Sequence, residues 1–159
     1  MQARSGARRA LALWLRSVAI LFVVAVGTGC EPAPVPIVYG EDLCEHCHMV
    51  IADRRFGAEL VTSTGRVLKF DSVECLAAHV ARLADGGGIH SLWVTAFRQP
   101  GELIPVGEAL FVQSPSLRSP MGAGLGAFGA SADTPEALVS ELGGAVLDWA
   151  QVVERARAS

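Results

Sequence analysis

Ala58-Glu59-Leu60-Val61-Thr62-Ser63-Thr64-Gly65-Arg66-Val67-Leu68-Lys69-Phe70-Asp71-Ser72-Val73-Glu74 is the stretch on which the fold class turns. Two β-rich runs, 58–63 and 66–70, flank Thr64-Gly65, which is a hairpin signal. Asp71 with Glu74 three positions later is the capping-box pattern, so Asp71 is expected to cap a helix. Val73, Leu76, Ala77, Val80 and Leu83 or Ala84 then follow at helical spacing, and Asp85-Gly86-Gly87-Gly88 ends the run. A strand over Leu92-Trp93-Val94-Thr95-Ala96-Phe97 and a turn at Gln99-Pro100-Gly101-Glu102 complete this pass of the chain.

A second pass has the same outline. Ala109-Leu110-Phe111-Val112-Gln113 reads as a strand, 114–120 as a Ser/Pro-rich loop, and 124–129 as a Gly-rich strand. Thr134 with Pro135 at the first helical position starts a helix that runs to Leu142. Gly143-Gly144 breaks it, and Val146 to Arg157 gives a short strand and a terminal helix. Short strands with segregated helices predict an α+β architecture. It is expected to have two small ββα-type lobes with antiparallel strands, over residues 41–98 and 105–157 of a domain spanning 41–157.

The first thirty residues have a different character. Arg4, Arg8, Arg9 and Arg16 precede a nine-residue apolar run, 18–26, and then Gly27-Thr28-Gly29-Cys30. This order describes a secretory signal over 1–29. The run is too short to span a bilayer, which takes about 20 apolar residues. A cysteine directly after small residues resembles a bacterial lipobox, with Cys30 as the acylated mature N-terminus, although Gly27 stands where an aliphatic residue is usual. The prolines of Glu31-Pro32-Ala33-Pro34-Val35-Pro36 predict an extended spacer over 30–40. The expected location is the periplasm, anchored to a membrane by lipid, with inner and outer membranes left open.

Without residues 1–29 the chain has nine basic and 16 acidic residues, a formal charge of −7, with Lys69 its only lysine. That excludes nucleic acid as a partner, since it offers no basic stripe. No Ser/His/Asp set, phosphate-cradling glycine loop or carboxylate pair stands out, so an enzyme is not expected. Asp53, Asp71 and Glu74 are accounted for by turns and caps.

The densest chemistry lies in Cys44-Glu45-His46-Cys47-His48-Met49. Beyond the signal the only methionines are Met49, beside the cysteines, and Met121, in a Pro-Met-Gly loop. Thiolate with thioether is a soft donor set that favours Cu(I) over hard cations. On an extended segment Cys47 and Met49 share a face, and Met121 would close a trigonal site, with Cys44 as helper. Alternatives stay open. Cys44 and Cys47 suit a disulfide in an oxidising compartment, and with His46 and His48 they suit zinc. Cys44-Glu45-His46-Cys47-His48 is also a formal attachment motif for c-type haem, which would make the chain a lipid-anchored electron carrier. Cys75 shares a helix face with His79 and is read as core or as support for the site. His79 is expected to be partly exposed and His90 to lie in a loop.

Three further groups of residues carry a resemblance. They are Glu41-Asp42 with Cys44, Cys47 and Met49; Phe56-Gly57-Ala58-Glu59 with Phe70-Asp71-Ser72-Val73-Glu74-Cys75-Leu76; and Ser119-Pro120-Met121-Gly122 with Ala127-Phe128 and Glu141-Leu142-Gly143-Gly144. Together they resemble the nitrous oxide reductase accessory lipoproteins of the NosL family over nearly all of 41–153. The resemblance implies a membrane-anchored periplasmic Cu(I) chaperone that helps load nitrous oxide reductase together with its assembly machinery. It implies two ββα-like lobes related in shape to the organomercurial-lyase core, and leaves a homodimer open. By position the family's ligands fall on Cys47, Met49 and Met121. One departure stands out: His48 occupies a place commonly held by Gly, and as an imidazole it would add a ligand or serve a second metal such as zinc, together with His46.

Overall fold

The computed structural model describes residues 31–83 and 87–158. The signal segment 1–29 and the acylation expected at Cys30 lie outside the described residues. Among those described, no helix is long and apolar enough to cross a membrane.

The architecture is α+β, with two antiparallel sheets. The first lobe consists of β1 (Ala58–Thr62), β2 (Val67–Phe70), α1 (Val73–Arg82), β3 (Ile89–Thr95) and β4 (Leu103–Pro105). Its sheet has the order β2-β1-β3-β4. The second lobe consists of β5 (Ala109–Gln113), β6 (Leu125–Gly129), α2 (Pro135–Leu142), β7 (Ala145–Leu147) and α3 (Trp149–Arg157), with sheet order β6-β5-β7. In each lobe the first strand is central. It pairs on one side with its hairpin partner and on the other with the strand that follows the helix. The two passes seen in the sequence are therefore one ββαβ topology used twice.

The β1–β2 hairpin sets Ala58 opposite Phe70 and Leu60 opposite Leu68, with Gly65 at φ 83 in the turn. Period two puts these side chains on one face, and that face is buried. The cap of α1 differs from the expectation. Ser72, at φ −157 and ψ 164, is the N-cap, and its hydroxyl accepts from the backbone N–H of Cys75. Asp71 lies outside the helix with its carboxyl buried, and Glu74, at the second helical position, is turned to Ser119. Thr134 caps α2 and Asp148 caps α3 in a full capping box with Gln151.

β3 begins three residues earlier than the sequence suggests and ends two earlier. Pairing with β1, through an irregularity at Val61/Thr62, draws Ile89 and His90 into the strand, so His90 is not in a loop. Phe97 instead crosses to the second sheet, where its N–H donates to the Ala127 carbonyl beside a parallel bridge from Ala96 to Ala127. β4 was not expected. It is a three-residue edge strand, where Pro105 opposite Trp93 removes a donor that an edge does not need.

Most of the core is shared. Leu60, Phe70 and Val94 from the first sheet meet Leu76 of α1, Phe111 and Leu147 from the second sheet, and Val152 of α3. Each such side chain contributes about 1.5–3 kcal/mol on burial. The second sheet also buries its other face. Val112 and Phe128 pack there under Leu138 of α2, with Leu117 from the loop. Gly124, at φ 66, belongs to the same loop, and a Cβ there would run into the Ser114 carbonyl oxygen.

The N-terminal segment is held against the first lobe from Val35 onward, so the packed part starts about six residues before the boundary drawn at 41. The Val35 N–H donates to Glu59, Lys69 Nζ donates to the Pro36 carbonyl and to Asp42 Oδ2, and Ile37 is buried. The extended spacer expected over 30–40 is therefore tied down over its last residues.

Candidate metal centre

The residues from Cys44 to Met49 form a tight loop closed by an antiparallel bridge between Leu43 and Val50. The Cys44 N–H donates to the Met49 carbonyl at 2.8 Å, and the His48 N–H to the Cys44 carbonyl at 2.9 Å. Closing the loop in so few residues requires one left-handed residue, and His48 fills that place at φ 60. A glycine would do so without strain. Cys47 and Met49 are therefore not on an extended segment, and the alternation that put them on one face does not apply.

The Glu45 N–H donates to the Lys69 carbonyl at 2.8 Å, which lays the loop across the end of β2. Beyond that strand end come Asp71, the Ser72 cap and Cys75 in the first turn of α1. The result is a cluster of four groups. Cys44 Sγ, Cys47 Sγ, Cys75 Sγ and an Asp71 carboxylate oxygen all lie within 4.8 Å of one another. Cys44, Asp71 and Cys75 are buried, and Cys47 is half-buried.

The electrostatics divide the three sulfurs and favour the anion at Cys44 alone. A hydrogen bond from the Cys75 thiol, with backbone N–H groups of Cys47, Asp71 and His46, holds Cys44 well below the ordinary thiol range. Cys75 is pushed up because its proton is held between the Cys44 sulfur and Asp71 in a buried place. Cys47 is raised mainly by burial, against a hydrogen bond from the Met49 N–H. The first turn of α1 adds its own partial positive charge. Asp71 Oδ1 is buried and has no hydrogen-bond partner. A buried carboxylate oxygen without a partner is costly.

A cavity of about 240 Å³ adjoins the cluster. Cys75 forms part of its wall, with His46, Glu74, Met121, Leu147 and Arg155. Met121 is 43% exposed and Met49 is 48% exposed, but Met49 does not line this cavity. His48 is exposed on the far part of the loop. The structure thus joins Cys44 and Cys47 to each other and brings Met121 and His46 to a cavity that Cys75 shares. It does not join Met49 or His48 to that wall. His79 packs on Phe70 with ring centroids 5.2 Å apart and is half-buried.

One group is a correction to the sequence reading: Asp71 is not a cap. Cys75 is buried in the core, as expected, and its sulfur also belongs to the cluster. A signal existed for Cys75: three residues after a Ser cap it stands in the first turn of a helix, a place where reactive and ligating cysteines recur. For Asp71 no local signal existed, because its position before a helix reads equally well as a cap. The haem alternative also loses ground. The Cys44 sulfur is fully buried among Cys75, Asp71 and backbone N–H groups, whereas a haem thioether needs room for a macrocycle.

With this geometry in view, the NosL family model matches residues 34–156. Among solved structures, the chain is similar to the copper chaperone NosL from Shewanella denitrificans, with a TM-score of 0.65 and 22% identity. The alignment covers 76% of this chain and 96% of that one. No curated protein matches.

Proposed function

The chain belongs to the NosL family, and from that premise we propose that it is a copper-binding chaperone that carries Cu(I) and performs no reaction on a substrate. The supporting observation is the convergence of three cysteine sulfurs within 4.8 Å, one of them half-buried. Soft donors in this number suit Cu(I). Cys44, Cys47 and Cys75 hold the ion at depth. Met121 and Met49 are exposed thioethers by which it enters and leaves, through stepwise exchange with the donors of a receiving protein. The half-buried Cys47 is the thiolate through which exchange proceeds.

The receiving protein in this proposal is nitrous oxide reductase or its assembly machinery, as the family resemblance implies. Export by the segment 1–29 and acylation of Cys30 would place the carrier on the periplasmic side of a membrane, where such an enzyme is loaded.

The test is anaerobic titration of the reduced protein with Cu(I) in competition with a colorimetric chelator. One Cu(I) per chain is expected, with affinity falling at least roughly tenfold in Cys75→Ser and in Cys47→Ser. Wild-type affinity in both variants would overturn the proposal. Expression alongside cytochrome maturation machinery settles the rival: covalent haem bands surviving denaturation would replace copper carriage with electron transfer.

A further inference from the structure

Among the described residues, seven large apolar side chains stand exposed, and five of them, Val35, Val38, Leu43, Met49 and Val50, fall between positions 35 and 50. Exposed apolar residues scattered singly need no explanation, but their concentration in one short stretch marks a surface that meets something. The core takes Ile37 and Ile51 from the same stretch and leaves these five outside it.

Local geometry gathers them. The Cys44 N–H donates to the Met49 carbonyl at 2.8 Å and the Ile51 N–H to the Asp42 carbonyl at 2.9 Å, on either side of the Leu43–Val50 bridge. Leu43 and Val50 are thus the non-hydrogen-bonded pair of an antiparallel bridge, whose side chains stand close together on one face. The Val38 carbonyl accepts from the N–H groups of Glu41 and Asp42 in the turn that leads into this bridge. Upstream, Val35 is fixed through its N–H to Glu59, and Lys69 Nζ holds the Pro36 carbonyl. The stretch is therefore a fixed apolar edge of the first lobe and not a loose tail.

The place of the lipid anchor selects what covers that edge. Val35 follows Cys30 by five positions, a length of chain that spans at most about 18 Å. Because Val35 is held on the lobe, acyl chains on Cys30 keep the edge within that reach of the membrane they enter.

We propose that Val35, Val38, Leu43 and Val50 form a face that rests on the lipid surface beside the acylated Cys30. The proposal rests on the reading of Cys30 as lipidated. The contact is apolar rather than electrostatic, since the chain beyond the signal has a formal charge of −7. Two acids of the stretch are ion-paired, Asp42 with Lys69 at 2.6 Å and Glu45 with Arg66 at 3.5 Å. The Arg54 guanidinium lies 4.9 Å from the centre of the Tyr39 ring, which sets a cation and an amphipathic ring next to Val38, a pairing suited to the headgroup level. Apolar side chains of this size enter the boundary between headgroups and acyl chains. The acyl chains supply attachment and the face supplies orientation. It lays the Cys44–Met49 loop along the membrane, so that copper is exchanged at the membrane surface.

The experiment uses the full chain made in a host that acylates it, with acylation of Cys30 read by mass spectrometry. The protein is reconstituted into phosphatidylcholine vesicles with and without bromine on the lipid chains. Leu43→Trp and Val50→Trp place a reporter on the face, and Val139→Trp places one on α2 of the second lobe, where the native residue is 43% exposed. Each is read as emission added to that of wild type. Leu43→Trp and Val50→Trp are expected to add blue-shifted emission that brominated lipid quenches several-fold more strongly than that of Val139→Trp. All three positions are exposed, so the substitutions leave the core intact, and either reporter on the face suffices if the other variant does not fold. Equal quenching at the face and at position 139 in acylated protein would overturn this inference alone. So would reporters at 43 and 50 that lipid leaves unquenched and a soluble receiving protein shifts, which would make the face a protein contact. Unmodified Cys30 would overturn the anchor reading and this inference with it.

Discussion

Ser119 donates its hydroxyl proton to the Glu74 carboxylate, and that bond ties the loop carrying Met121 to the first turn of the helix carrying Cys75. The same Ser119 oxygen accepts from the Gly124 N–H at 3.0 Å, and the Gly122 N–H donates to the Ser119 carbonyl. One serine thus closes the loop around Met121 and anchors it to the other lobe.

Ser119→Ala is therefore expected to act on copper without touching it. Losing a hydrogen bond to a charged, half-buried acceptor costs about 1–2 kcal/mol. The Met121 loop then loses its anchor, and Cu(I) should leave several times faster in stopped-flow transfer to a chelator. In a Met121→Ala background the same change should have no further effect on the release rate, because both act through one thioether. Additive effects in that double-mutant cycle would show that Glu74 and Ser119 do not position Met121.

His48 gives a second prediction. Its φ of 60 costs a non-glycine residue about 1 kcal/mol or more, partly offset by the greater chain entropy of glycine. His48→Gly should raise stability by about 0.5–1 kcal/mol in thermal unfolding of the metal-free protein. The side chain is exposed, so Cu(I) affinity and stoichiometry should stay as in wild type. A clear fall in affinity would instead make the imidazole a copper ligand.

Glu59 predicts a pH dependence. It is the second residue of β1, fully buried, and burial pushes its pKa up from 4.5 to about 7, against the Val35 N–H and Lys69, with Asp42 adding to the rise. A raised carboxyl pKa means that the folded protein holds the proton more tightly than the unfolded chain does. The contribution is fully present below about 4.5 and is lost as pH rises through about 7. Stability from Glu59 should thus fall by about 3 kcal/mol across that window. Glu59→Gln should remove this slope in denaturant melts taken from pH 5 to 8, and an unchanged slope would remove Glu59 as its source.

Leu138 tests the second, smaller core. It is fully buried under the outer face of the second sheet with Val112, Leu117 and Phe128. Leu138→Ala should cost about 2–4 kcal/mol. The four clustered groups lie in the first lobe, so Cu(I) affinity of the folded variant should not change. A large loss of affinity would mean that α2 governs the site through the sheet.

Much of the fold was legible because its determinants are local. The β1–β2 turn at Thr64-Gly65, the start of α2 at Thr134-Pro135 and the break at Gly143-Gly144 each depend on residues within a few positions of one another. The elements form within a few residues of their expected bounds. β4 was missed because three residues ending in proline carry no strand pattern of their own. Their strand character comes from β3 lying beside them.

For the site, the sequence by itself determined that soft donors gather in the loop from Cys44 to Met49, with Met121 following in a separate loop. Chemistry and spacing suffice for that, because neighbours in the chain are neighbours in space. Only the tertiary structure decided that Cys75 and Asp71 complete the cluster and that Met49 stands apart from the cavity shared by Cys75 and Met121. Cys44 and Cys75 are about thirty residues apart. What brings their sulfurs together is the packing of a hydrogen-bonded loop across the end of β2, where the first turn of α1 begins. No periodicity or motif encodes that contact; it depends on how the buried faces of the strands and helix fit against one another.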